Sequence, residues 1–217
     1  MSEQTRVVLI GGGEHAQVVA DAIASRPENG TLVGFLDPQP CAELQALGIR
    51  WLGGDDDEVV LSMQDCHFVL AVGGVGNTIL RTQLASRYQA IGVHWGQVVH
   101  ARSVVSKRAT LGMGVVVLAG AVVNVGARVG DHAIVNSNAV IEHDVKLGNH
   151  VHVGPSATIG GGTEVETNSI IGLGACVRDH IRIGEQAVIG MGAVVVKSVP
   201  NRVVVAGVPA EIIRRNE

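Results

Sequence analysis

The sequence predicts two unlike folds in one chain: a small Rossmann-like α/β domain over residues 1–100, then a parallel β-helix of hexapeptide repeats over residues 101–217. Three observations carry this. Near the N-terminus an apolar run twice ends in a cluster of glycines that opens a helix-periodic stretch. From Val105 onward aliphatic residues recur at every sixth position with no break in register. The chain of 217 residues is long enough for two modest domains.

Residues 6–10, Arg-Val-Val-Leu-Ile, read as a buried strand, followed by Gly11-Gly12-Gly13 and a helical pattern from Glu14 to Ile23. A second strand, Leu32 to Leu36, ends at Asp37-Pro38. In such a unit the helix N-terminus offers exposed amides to a phosphate, and an acid ending the second strand can accept from a ribose hydroxyl. The loop Gly11-x-Gly13-x-x-Ala16 is a weak match to a dinucleotide fingerprint. Gly54-Asp55-Asp56-Asp57-Glu58 reads as an N-cap and the acidic first turn of a helix. A third apolar run, Phe68 to Val72, enters Gly73-Gly74-Val75-Gly76-Asn77 and a helix through Ile79, Leu80, Leu84 and Ala85 that carries Arg81. Two glycine loops then gather at the carboxyl ends of adjacent parallel strands, where open α/β sheets bind ligands. Residues 93–104, with His94, Trp95 and His100, read as a linker, and the boundary falls near residues 98–104.

Sixteen positions from Val105 to Val195, six apart, are all Val, Ile or Leu, and a small residue such as Ala121, Ala139 or Ala157 often follows four places later. A helix needs a period of 3.6 and an ordinary strand a period of two, so neither fits; a period of six is a β-helix. Three hexads close a triangle, the aliphatic residue points inward, and residues eighteen apart stack at roughly 4.8 Å. One coil cannot bury its aliphatics alone, whereas stacked coils share a core. They also leave three flat aliphatic-rich faces, a surface suited to side-by-side packing.

Within the coils His143 stands between Glu142 and Asp144, an arrangement suited to a general base whose second ring nitrogen is held by a carboxylate. Eighteen residues on lies Gly161, inside Gly160-Gly161-Gly162, whose amide can face an oxyanion. His152 is a second candidate polar contact. His132 and His150 are eighteen apart and should stack as a surface ladder; no metal site is expected. Nothing beside Cys176 in sequence would activate a thiolate.

Composition narrows the function. Only five residues are aromatic and the net charge is −4, which gives no reason to invoke nucleic acid or an anionic membrane. No run is long and apolar enough for a transmembrane helix, and Met1 to Arg6 shows no signal-peptide pattern. Cys41, Cys66 and Cys176 lack metal or disulfide spacing, as in a reducing cytoplasm. A nicotinamide-dependent dehydrogenase would explain the first loop but leave the β-helix without a role. A purely structural β-helix would explain the hexads but neither the His143 cluster nor the paired loops.

The glycine-loop domain, the hexads, Val140-Ile141-Glu142-His143-Asp144 and the closing Ala206-Gly207-Val208-Pro209-Ala210 together resemble the bacterial nucleotide-sugar acetyltransferases. The resemblance is to those that N-acetylate nucleotide-linked 4-amino-4,6-dideoxysugars, as in bacillosamine and perosamine pathways; sialic acid O-acetyltransferases are the alternative. It implies a left-handed coil, acetyl-CoA as donor, no metal, a cytoplasmic homotrimer with active sites between neighbouring β-helices, and a UDP- or GDP-linked acceptor. It further implies His143 as catalytic base with Asp144 beside it, and His152 and the Gly161 amide against the acetyl thioester. Gly13, His15, Asp37, Gly73, Asn77 and Arg81 would hold the nucleotide sugar. Where the family commonly has a basic residue after the closing motif this chain has Glu211, which leaves the CoA phosphates to Lys197 or Arg214.

Overall fold

The computed structural model describes residues 5–74 and 78–216. It forms two compact units, Met1–Ala101 and Arg102–Glu217. In the first, five strands make one parallel sheet: β1 (Arg6–Ile10), β2 (Thr31–Leu36), β3 (Trp51–Gly53), β4 (Cys66–Leu70) and β5 (His94–Trp95). Their order is β3-β2-β1-β4-β5. The winding therefore reverses between β1 and β4, which pair without a shift from Arg6↔Cys66 to Ile10↔Leu70. A crevice is expected at the carboxyl ends of these two strands. Val8, Leu9, Ile10, Phe68, Val69 and Leu70 have no more than 1% exposure, as befits central strands covered on both faces.

Helix α1 (Glu14–Ala24) follows the first glycine loop, α2 (Ala42–Ala46) leads to β3, and α3 (Asp57–Leu61) starts from Asp56 with Asp57 and Glu58 in its first turn, as the acidic run predicted. Helix α4 (Ile79–Ala90) lies where it was expected, yet its buried stripe is Arg81, Ala85 and Tyr88, while Ile79 and Leu80 are exposed. His94 and Trp95 are an edge strand rather than a linker, paired with His67 and Phe68. The segment behind it is tied down by Asn29, whose amide group exchanges two hydrogen bonds with the Val99 backbone.

The second unit is built from two-residue strands stacked at eighteen-residue intervals, as in Val122↔Val140↔Thr158↔Cys176. From Val117 on, every sixth aliphatic has at most 4% exposure; Val105 and Leu111 are half-buried. The small residues fill the corners, and where Thr163 and Ser169 replace alanine their hydroxyls donate to the carbonyls of Arg178 and Gly184 at 2.8 and 2.7 Å. From Leu111 to Ile189 each corner turns through a left-handed residue three places after the aliphatic: Gly114, Gly120, Gly126, His132, Asn138 and Asp144 begin the series. Side chains stand there because the turn demands that conformation whatever the residue.

The three faces are unlike, which corrects the expectation of three aliphatic ones. Thr110, Arg128, Lys146, Glu164 and Arg182 line a charged, exposed face, with Lys146 donating to Glu164 at 2.6 Å. Val116, Ile134, His152 and Ile170 are buried. Val104, Val122, Val140 and Val194 line an open aliphatic face that also carries Thr158 and Cys176. A hairpin of Val203–Gly207 and Ala210–Arg215 closes the coil, its first strand pairing with Val188 and Ile189.

Candidate active site

In the first unit the two glycine loops meet at the switch point. The Gly11 amide donates to the Leu36 carbonyl and the Ala71 amide to that of Ile10, each at 2.8 Å, which draws the strand ends together. A methyl group on Gly11 would lie 2.7 Å from Val72 Cγ2, and one on Gly12 2.8 Å from the Phe35 ring, so only glycine permits this closeness. Gly13 faces open space and begins α1 with no side-chain cap, leaving first-turn amides available to an anion. Asp37 accepts from the Gly12 amide at 2.7 Å and from the Gln39 amide at 3.0 Å, so it shapes the loop and keeps acceptor capacity toward a ligand.

His15 sits beside Gly73, and its Nε2 is buried without a hydrogen-bond partner in the described structure. Burial, and then the charge of Arg81, pushes its pKa down to about 4, so the ring is neutral at physiological pH. Arg81 itself has 1% exposure and donates to the Val72 carbonyl; burial brings its pKa to about 10. It therefore supports the second loop from behind. Asn77 lies outside the described residues.

In the second unit His143 projects from the corner after Val140–Ile141, with half of its side chain exposed. Its Nδ1 is 3.1 Å from Asp144 Oδ2, which the left-handed conformation of Asp144 (φ 59°) turns back toward the ring. Glu142 serves a different purpose: its Oε2 accepts from the His143 backbone amide at 3.3 Å and from Asn124 Nδ2 at 3.1 Å, fixing the turn. The other edge of the imidazole lies over Gly161, where an added Cβ would come 2.5 Å from Nε2. The Gly161 amide donates to no described residue. An imidazole held by a carboxylate and a backbone amide without a described partner thus share one step of the coil, the kind of pair that acyl transfer to an amine can use.

His152 is elsewhere on the coil, 2% exposed, with Asn136 Nδ2 3.2 Å from its Nε2. Lys197 is exposed and paired with Glu211 at 3.1 Å, and Arg214 lies on the closing hairpin with a donor to the Arg215 carbonyl. His132 and His150 stack at 5.2 Å between ring centroids, as their spacing predicted, but not as a surface ladder, since His132 is only 5% exposed. No group of three or more metal-ligating side chains occurs among the described residues. Sequence reasoning missed Asn124, and also an apolar ridge at another corner, where Leu173 and Met191 are 51% and 78% exposed above Pro155. Its signal was the eighteen-residue spacing of apolar residues at a turn position.

The PglD N-terminal domain family matches residues 6–88, and the six-repeat bacterial transferase hexapeptide family matches residues 126–161. PerB from Caulobacter crescentus, solved with CoA and GDP-perosamine, is 35% identical over 95% of this chain and 96% of its own, with a TM-score of 0.85. The acetyltransferase domain of PglB from Neisseria gonorrhoeae, solved with acetyl coenzyme A, is 32% identical over 97% of this chain and 100% of its own, with a TM-score of 0.88. WeeI from Acinetobacter baumannii, 20% identical over 96% of this chain and 100% of its own, shares the fold with a TM-score of 0.61. No curated protein matched the sequence. The second unit is thus a left-handed β-helix and the first a Rossmann-like domain.

Proposed function

The chain belongs to the hexapeptide-repeat acetyltransferases of nucleotide-linked amino sugars, and from that premise we propose that it moves the acetyl group of acetyl-CoA to the amine of a nucleotide-linked 4-amino-4,6-dideoxysugar. The observation that carries this is the His143 geometry: Nδ1 tied to Asp144, Nε2 over the step that bears the Gly161 amide, which donates to no described residue. The acceptor amine attacks only when neutral. His143 Nε2 takes the ammonium proton, Asp144 holds the ring and stabilises its cation, and the Gly161 amide receives the oxyanion. Base and oxyanion donor are each worth roughly 10²-fold. A positioned amine needs no acyl-enzyme, so the exposed Cys176 has no part in it.

The N-terminal unit holds the nucleotide: amides at Gly13 and the start of α1 take phosphate, Asp37 takes the ribose or base, and His15 and Gly73 form the floor. Asn77 would contact the same ligand, and Arg81 supports the Val72 carbonyl just before Gly73. On the coil His152, with Lys197 and Arg214 toward the C-terminal end, serves acetyl-CoA. The ridge at Leu173 and Met191 offers its pantetheine arm an apolar seat. The open valine face supports a homotrimer, because His143 follows Val140 at that face's edge and a neighbouring coil would complete the site. Three free thiols suit a cytoplasmic enzyme, and no helix among the described residues is long and apolar enough to cross a membrane. Its product would serve surface polysaccharide or glycan synthesis. The test is coenzyme A release with a panel of UDP- and GDP-linked 4-amino sugars and their 4-hydroxy counterparts. Turnover confined to amines supports the reading; silence toward all amines, or turnover of hydroxyls alone, overturns it.

A further inference from the structure

The corner that carries His143 has a second imidazole. Glu142-His143-Asp144, Gly160-Gly161-Gly162 and Arg178-Asp179-His180 occupy the same three positions in consecutive coils, joined by the Gly162 amide to the His143 carbonyl and the His180 amide to the Gly161 carbonyl, both 2.9 Å. The third position is left-handed in each, with φ of 59°, 65° and 52° at Asp144, Gly162 and His180. Side chains there lean toward the preceding coil: the Asp144 carboxylate fills the Cβ space of Gly126, and His180 Nδ1 fills that of Gly162. His143, one place earlier, leans the other way onto Gly161. Two imidazoles from the coils on either side therefore converge on adjacent glycines of one bare step.

Their surroundings separate their roles. Asp144 commits Nδ1 of His143 to the carboxylate and leaves Nε2 as an acceptor. His180 has no carboxylate on its ring among the described residues, because neighbouring Asp179 is 3.5 Å from Arg178 Nε. The other charges around it are Glu142 and Asp144 across the step and Lys197 in the next coil, which is paired with Glu211. Its Nδ1 is the nitrogen over Gly162, and no described carboxylate holds it.

We propose that His180 is the acid of the same reaction, protonating the departing thiolate of coenzyme A from Nδ1 while His143 takes the proton of the amine. This rests on the acetyl-transfer reading. The amine nitrogen bonds to the acetyl carbon, the carbon–sulfur bond breaks with its electron pair to sulfur, and sulfur receives the His180 proton. One proton is taken by His143 and one given by His180, so a single proton passed across the step through water resets both rings.

His180→Gln keeps size and hydrogen bonding without an ionisable proton. With acetyl-CoA its kcat should fall about 10-fold, with the acceptor KM unchanged. With an acetyl thioester of an electron-poor aromatic thiol, which departs without protonation, variant and wild type should match. Equal losses with both donors, or none with either, would overturn the proposal; His180→Asn run in parallel guards against a packing artefact. Wild-type silence toward every amine overturns the transfer reading and this inference together, whereas wild-type turnover with an unaltered variant overturns this inference alone.

Discussion

Two histidines show how surroundings divide one residue type into different roles. His143 is half-exposed and held by Asp144, while His15 is enclosed beside Arg81. His143→Asn should lower kcat about 10²-fold with both binding constants kept, and the loss should shrink as pH approaches the amine's own pKa. Asp144→Asn should cost less, since it loosens the ring without removing the base; near-wild-type kcat for His143→Asn from pH 6 to 9 would make His143 a surface residue. His15 predicts a stability effect. Its folded pKa, about 4, lies below the ordinary 6.5, so the unfolded chain binds more protons between these values. Stability contributed by the neutral ring is present above pH 6.5 and lost as pH falls toward 4, on the order of 3 kcal/mol in full. Denaturant midpoints at pH 7 and pH 4.5 should fall further for the wild type than for His15→Gln.

Among elements, the glycine step over which His143 lies is the most exacting. Gly161→Ala would place a methyl 2.5 Å from Nε2 of His143, and the ring is far easier to displace than the backbone. We expect kcat to drop at least about 10-fold while the unfolding midpoint barely moves; a large stability loss with normal kcat would mean that the step serves packing instead. This step was legible in the sequence because a strict period of six puts residues eighteen apart in contact, which brings Gly161 to His143 without any structure. The same arithmetic placed His132 on His150. His180 escaped because its approach to His143 depends on two opposite leans, which no spacing encodes. In the N-terminal unit the helix α4 was legible but its buried face was not: Arg81 lies inside while Ile79 and Leu80 are exposed, and the carbonyl of Val72 makes a guanidinium acceptable there. Two residues, His94 and Trp95, are too few to show a strand period.

At the scale of the molecule, the inequality of the three coil faces bears on the proposed assembly. A charged face gains little from contact, a buried one is already satisfied, and the valine face remains. We expect a trimer by sedimentation, and Val122→Glu, on that face and away from His143, should release monomers of intact fold with much-reduced turnover. A wild-type monomer with full activity would remove the shared site. The sequence made the coil unmistakable but treated its faces as equal, because outward residues follow no period and are distinguished only by what they meet.

The eighteen-residue pairing also bears on how the chain acquires its shape. Coil strands join residues eighteen apart, as Val122 joins Val140, whereas the first sheet must bring Cys66 to Arg6, sixty positions away. The longer closure costs about 1 kcal/mol more entropy, and it waits until β4 has been synthesised. The coil has no such delay: each new turn can zip onto the edge of the last as it leaves the ribosome. Until growth stops, the newest turn presents unpaired amides and carbonyls, which is also how strands recruit foreign chains. The hairpin of Val203–Gly207 and Ala210–Arg215 covers that edge on one of the three faces, pairing with Val188 and Ile189 and folding back antiparallel onto itself. It acts as a terminator, and a chain truncated before Val203 would carry an adhesive end.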